Sequence, residues 1–195
     1  MGKRSNGKTN NRLILDIYTD GSCIKDGCGG WGFVSVSEDP KYCMCRGGGA
    51  NNTTNSRMEL TAAKEAISYA TRPSIINIYS DSKYVVKGIK SLKYWKEAGW
   101  KTKDKKPLAN QDLWSAIDKL IIDGDHMVIP HWVKGHNGNV FNELADQIAG
   151  DHSNIMARKL SNIDYEKVRK DRRELDADVT SDDTRPDKYK PRKKY

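Results

Sequence analysis

The sequence predicts an α/β fold: a five-stranded mixed sheet, three antiparallel strands and then parallel ones, with flanking helices. Three observations predict it. Three short β-rich runs succeed one another as far as Arg46 with only turn residues between them, the pattern of an antiparallel meander. From Ser56 onward, segments with a helical apolar period alternate with two more strand-like runs, in the order β-β-β-α-β-α-α-β-α, and such alternation lays helices on a partly parallel sheet. At 195 residues the chain is long enough for one domain with a real core, and the surplus reads as an appended tail.

Residues 1–12 are a polar, basic leader with no apolar stretch behind them. Leu13 to Thr19 (LILDIYT) is the first strand, stopping at the turn signal Asp20-Gly21-Ser22. Trp31 to Ser37 (WGFVSVS) and Lys41 to Arg46 follow, joined by Glu38-Asp39-Pro40. Gly47-Gly48-Gly49 and an Asn/Thr-rich loop lead into a helix over Ser56 to Ala70. There Ser56 and Glu59 have capping-box spacing, and Leu60, Ala63, Ala66, Ile67 and Ala70 form an apolar stripe. Pro73 breaks the pattern, Ser74 to Ser80 (SIINIYS) is the fourth strand, and Asp81 opens a short helix over Ser82 to Ile89.

Ser91 to Asn110 is dense in Lys and Trp and is expected to protrude as a basic element. Gln111 to Ile122 resumes a helical period, with Trp114 anchoring it in the core and Gly124 ending it. Met127 to Val133 is the fifth strand, Lys134 to Asn139 a flexible loop, and Asn142 to Ala149 the helix after it. The domain is expected to span 13–150. Beyond it, 151–195 reads as a charged extension, helical to about Leu175 and then disordered, and no internal repeat is present.

A net charge of +8 with 31% charged residues favours a polyanionic partner, nucleic acid foremost. No stretch approaches the ~20 apolar residues of a membrane span. The chain is therefore expected to be soluble, cytoplasmic and monomeric. Cys23, Cys28, Cys43 and Cys45 have C-x4-C and C-x-C spacings, which are not those of a zinc knuckle, and are expected to be free thiols. Cys43 and Cys45 share a strand face and are expected to be buried.

Four carboxylates stand where chemistry is done. Asp20 and Asp81 end predicted strands, at the sheet edge where open α/β folds handle ligands. Glu59 and Asp146 each lie one turn into a helix whose start can face that edge. Hard cations such as Mg²⁺ prefer oxygen ligands, and two ions ~4 Å apart position an attacking water and stabilise a leaving oxygen on either side of a phosphate. Each residue also has an ordinary structural reading. Asp20 forms a turn, Glu59 completes a capping box, Asp81 caps a helix and Asp146 is a solvated helix charge, and spacing alone does not choose between the readings.

Five motifs do choose. Thr19-Asp20-Gly21-Ser22, Asn55-Ser56-Arg57-Met58-Glu59-Leu60, Tyr79-Ser80-Asp81-Ser82, Trp132-Val133-Lys134-Gly135-His136 and Asn142-Glu143-Leu144-Ala145-Asp146 together resemble a type 1 ribonuclease H, over residues 13 to 150. The resemblance implies a ribonuclease H-like sheet and hydrolysis of the RNA strand of an RNA/DNA hybrid by two metal ions, leaving 3′-OH and 5′-phosphate ends. It implies Mg²⁺ as cofactor, with Mn²⁺ as a substitute, held by Asp20, Glu59, Asp81 and Asp146. His136 matches the family's loop histidine, which assists proton transfer or product departure; its ordinary reading is an exposed loop residue.

The same resemblance places Cys23, Asn55 and Ser56 where the family reads the 2′-OH across a wide, shallow minor groove. It identifies Ser91 to Asn110 with the family's basic protrusion. There Lys93, Lys96, Lys101, Lys103, Lys105 and Lys106 are expected to face DNA-strand phosphates, with Trp95 and Trp100 interleaved as marks of a folded element. No N-terminal hybrid-binding module is expected. Two rivals stay open: a catalytically silent module that binds hybrid or duplex RNA on the same fold, and a DNA-processing nuclease or strand-transfer enzyme on a related one.

Overall fold

The computed structural model describes residues 12–36 and 43–180, with side-chain surroundings as far as residue 161. Leader residues 1–11, the Glu38-Asp39-Pro40 connection and the segment after Thr180 lie outside the described residues; the disorder expected from about Leu175 is not found over 176–180, which continue as helix. Five strands, β1 (Leu13–Cys23), β2 (Gly29–Val36), β3 (Cys43–Ala50), β4 (Ser74–Ser80) and β5 (Met127–Trp132), form one sheet in the order β3-β2-β1-β4-β5. The first three run antiparallel, and β4 and β5 run parallel to β1. That is the mixed sheet the sequence predicts. The helices are α1 (Asn55–Ser68), α2 (Lys83–Glu97), α3 (Gln111–Asp123) and α4 (Val140–Thr180). A compact body runs through Ala157; a second unit starts at Arg158, and α4 continues in it as helix to Thr180. No helix of the described residues is long and apolar enough to cross a membrane.

Period decides the faces. Alternate residues of β4 (Ser74, Ile76, Ile78 and Ser80) are buried, and Leu60, Ala63, Ala66 and Ile67 of α1, buried with the helical period, share the same core while α1 packs on β1 and β2. Ile17, Phe33, Val85 and Ile117 complete the core around Trp114, which is fully buried as expected. Each large side chain so buried contributes on the order of 2 kcal/mol of hydrophobic stabilisation. Trp114 also donates its indole N–H to the Tyr84 hydroxyl at 3.2 Å, so its one polar atom is satisfied. Gly124 caps α3, as its sequence position predicts.

Several boundaries differ from the sequence reading. β1 runs through the supposed turn to Cys23, and β3 runs through Gly47-Gly48-Gly49 to Ala50. Glycine is needed here because neighbours lie close: a Cβ at Gly47 would stand 2.6 Å from the His152 ring of α4, one at Gly49 would meet Met156 of α4, and one at Gly48 would stand 2.7 Å from the Trp31 ring. The cap of α1 is Thr54, whose hydroxyl accepts from the Arg57 N–H at 3.3 Å, so Ser56 and Glu59 lie inside the helix and form no capping box. α2 extends past Ile89 to Glu97, because Leu92 continues its buried stripe and Trp95 packs 5.2 Å from Trp114. The protruding element is correspondingly shorter. Cys43 and Cys45 are exposed rather than buried, because α4 covers only the glycine end of edge strand β3, while Cys28 is buried and all four thiols are free.

Candidate active site

The parallel ladder between β1 and β4 ends at Tyr18 and Tyr79, so Asp20 and Asp81 emerge beyond it at one sheet edge. Asp20 sits within the antiparallel part of β1, opposite Gly32, rather than at the strand's end. Gly21, next in the chain, lies against the first turn of α1: a Cβ there would meet the Glu59 amide nitrogen and the Met58 carbonyl carbon. Only glycine permits this approach, and the approach delivers Glu59 to Asp20.

One oxygen from each of Asp20, Glu59 and Asp81 falls within 4.8 Å of the others. Asp20 and Glu59 are each only 7% exposed. The Gly21 N–H donates to Asp20 Oδ1 at 2.7 Å, and the Asn55 amide donates to Glu59 Oε1 at 3.4 Å. Glu59 Oε2 is buried with no partner. Asp146, on α4, lies outside that trio but close enough for its charge to act on Asp20, Glu59 and Asp81. His136, in the loop before α4, is 80% exposed and brings Nδ1 to 3.7 Å from Asp146 Oδ2.

The electrostatics are those of an anionic cluster in which burial and mutual repulsion outweigh the neighbouring hydrogen bonds and the effect of His136 on Asp81. Desolvation first, then repulsion from Asp81 and Asp146, pushes the Asp20 carboxyl up to about 7 against the Gly21 hydrogen bond. Desolvation followed by Asp20 and Asp81 pushes Glu59 up to about 9. Asp81 is raised too, by burial and then Asp146. A buried, unpartnered carboxylate oxygen among hard oxygen donors fits a divalent cation, which would relieve the desolvation and the repulsion together.

The proposed substrate residues fall into three places. Cys23 ends β1, with its thiol 3.5 Å from the Thr53 carbonyl, and Asn55 and Ser56 open α1, exposed beside it. Lys93, Trp95 and Lys96 stand on the last turns of α2; Trp95 is half-buried against the core and Lys96 pairs with Asp118 at 2.7 Å. Trp100, Lys101, Lys103, Lys105 and Lys106 lie in the loop between α2 and α3, where Trp100 packs on the core and the four lysines are exposed. Sequence reasoning missed the tie between two of these places. Arg57 of α1 donates to Asp112 of α3 at 3.0 and 2.6 Å and to Asn110 at 3.3 Å. Opposite charges in two helix first turns are its only sequence signal.

The family model described as RNase H matches residues 12–154. A ribonuclease H of Cupriavidus necator is 49% identical over 137 residues, 69% of this chain and 92% of that protein. A ribonuclease HI of Caulobacter vibrioides is 45% identical over 139 residues, covering 70% and 91%. Among solved structures, LC9-RNase H1, described as a type 1 RNase H with the type 2 active-site motif, is similar with a TM-score of 0.63 at 27% identity over 74% of each chain. With this sheet, this acidic edge and these relatives, the chain belongs to the ribonuclease H family, as a type 1 enzyme of the bacterial ribonuclease HI kind.

Proposed function

We propose that Asp20, Glu59, Asp81 and Asp146 hold two Mg²⁺ ions with which this ribonuclease H cuts the RNA strand of an RNA/DNA hybrid internally, leaving 3′-OH and 5′-phosphate ends. The observation that carries the metal assignment is the meeting of three carboxylates within 4.8 Å around an unpartnered Glu59 oxygen. When bound, the cations supply activation of the attacking water and stabilisation of the leaving oxygen.

The chain's own part is positional. Asp20 is fixed by the Gly21 N–H and Glu59 by Asn55, so two of the four ligands keep their directions without metal. Asn55 thereby joins the ligand set to the edge where Cys23 and Ser56 would meet the 2′-OH. His136 turns Nδ1 to Asp146 and leaves most of its ring open, which suits a group that handles a proton as product departs. Lys93, Lys96, Lys101, Lys103, Lys105 and Lys106 form the phosphate track, with Trp95 and Trp100 as the packing that holds the element. Action as a cytoplasmic monomer belongs to the same proposal, with Mn²⁺ as substitute ion.

The test is cleavage of a labelled hybrid beside single-stranded RNA, duplex RNA and duplex DNA, with Mg²⁺, Mn²⁺ or chelator. Cut hybrid in either metal and nothing in chelator is the expected result. Binding without cutting in every metal would leave only a recognition module, and equal cutting of duplex DNA would move the chain to a DNA-processing activity.

A further inference from the structure

The motif at the end of β5 does more than carry His136 to the site. Asp81 stands between the last residue of β4 and Ser82, the N-cap of α2, so neither the strand ladder nor the helix fixes its peptide. The Ser80 hydroxyl accepts from the Ser82 N–H of that peptide at 3.1 Å, and the end of β5 closes around its carbonyl side. Trp132 lies opposite Ser80 in the parallel register, and the Val133 N–H donates to the Ser80 carbonyl at 3.1 Å. The Trp132 indole N–H donates to the Asp81 carbonyl at 3.0 Å. Gly135 then passes the carboxylate so closely that a Cβ on it would run into Asp81 Oδ2.

We propose that Trp132 is a positioning residue for Asp81: its indole N–H holds the Asp81 peptide while Gly135 leaves the space through which the carboxylate reaches Asp20 and Glu59. The residue type fits the task. Indole is a donor with no acceptor, so its nitrogen has one use, and the ring spans from β5 to the peptide beyond β4. Trp132 is 49% exposed, and its neighbour on α2 is Lys83, whose ammonium lies 5.2 Å from the ring centroid. A cation over the indole favours this ring placement and hence the direction of the N–H. Partners that orient a metal-binding group typically alter metal affinity or activity by about 10- to 100-fold when removed.

The inference rests on Asp81 being a metal ligand, and the experiment separates the two claims. Mg²⁺ binding to substrate-free protein is measured by calorimetry for wild type, Trp132→Phe, Gly135→Ala and Asp81→Asn, alongside steady-state hybrid cleavage over a Mg²⁺ titration and melting in chelator. Phe keeps a ring beneath Lys83 and loses only the donor. Trp132→Phe is expected to weaken Mg²⁺ binding about tenfold and raise the Mg²⁺ needed for half-maximal kcat equally. KM for hybrid and the melting temperature should stay at wild-type values. Gly135→Ala, which displaces the carboxylate from the other side, is expected to shift Mg²⁺ the same way.

Wild-type Mg²⁺ affinity in Trp132→Phe overturns the inference, and a rise in KM alone would make the indole a hybrid contact instead. A large fall in its melting temperature would make it a structural residue and overturns the inference equally. Wild-type Mg²⁺ binding in Asp81→Asn would overturn the metal reading beneath it, whatever Trp132 does.

Discussion

Gly21 and Glu59 are in backbone contact across two elements: a Cβ on Gly21 would stand 2.7 Å from the Glu59 Cα and nearer still to its amide nitrogen. The contact joins β1 to the first turns of α1 and sets the separation of two site carboxylates. It explains why the residue after Asp20 is glycine although the backbone there is ordinary strand, paired with Trp31.

Gly21→Ala should therefore damage both stability and turnover. The colliding atoms are main chain on a packed helix and cannot swing aside, so the cost is expected at the upper part of the about 1–3 kcal/mol range of overpacked cores. Urea unfolding reads the stability. Cleavage measured where the variant is still folded should fall further than hybrid binding, because Glu59 retreats from Asp20. Wild-type behaviour in both would mean that α1 moves away freely.

Asp20→Asn and Asp81→Asn test the ligand set. Asn keeps the shape of Asp and removes its charge, so turnover should drop by several orders of magnitude, each ~1.4 kcal/mol of lost transition-state stabilisation being tenfold in rate. Binding of hybrid in Ca²⁺ should survive, since the lysines proposed to meet the phosphates lie elsewhere. Single-turnover cleavage and melting in chelator are the measurements. Near-normal cleavage by both variants would sink the metal-ion mechanism, and a large fall in melting temperature would make the two carboxylates structural.

The raised carboxyls make a signed prediction about pH. In the unfolded chain Asp20 and Glu59 titrate from 3.8 and 4.5; in the folded chain they hold their protons to about 7 and about 9. Below pH ~4 both states are protonated, so these groups' contribution is fully present; as pH rises the unfolded chain loses its protons first and metal-free stability declines, until Asp20 ionises near 7 and Glu59 near 9. Glu59→Gln should remove its share of this decline, so its melting temperature in chelator should gain on wild type from pH 5 to 9. Mg²⁺ should narrow the gap by stabilising the wild type at the alkaline end. A pH-independent difference between the two proteins would show that Glu59 ionises normally in the fold.

The fold was legible in the sequence where period and partner agreed. β4 alternates over seven residues and α1 keeps its stripe, so both are found close to their true places. Asp20, Glu59 and Asp81, which meet within 4.8 Å, were legible because each stands in its own motif. What was not legible depends on contacts made far along the chain. Gly47 and Gly49 of β3 look like turn residues until α4 is laid against them, and the Lys-rich half of α2 looks like loop until Leu92 is buried and Trp95 finds Trp114. Cys43 and Cys45 share a face as expected, yet burial of a strand face depends on where the covering helix stops. Trp132 reads as one more strand aromatic, and only the turn of chain after β4 brings the Asp81 carbonyl beneath its indole.

The basic loop between α2 and α3 carries the last prediction. It is folded by its own backbone: the Thr102 N–H donates to Lys106 at 2.9 Å, the Lys105 N–H donates to Thr102 at 2.9 Å, and Lys101 bridges Pro107. The Leu108 N–H donates to the Trp100 carbonyl at 2.9 Å, and both side chains pack on the core, so the tip is a tongue anchored at its base. Replacing Lys101, Lys103, Lys105 and Lys106 with Ala removes exposed charge without touching that anchor, and the melting temperature should hold. Hybrid affinity should fall, and the log–log salt dependence should flatten by about 0.9 for each phosphate that a lysine no longer neutralises. Chemistry on bound substrate should change little, since the loop holds none of the carboxylates. Lys96→Ala should do less to the slope, because Lys96 is already paired with Asp118 and its net charge toward a phosphate is diminished. Filter binding across a salt series, with single-turnover cleavage beside it, decides the matter: an unchanged affinity and slope in the fourfold variant would show the tongue to be only a solvated surface.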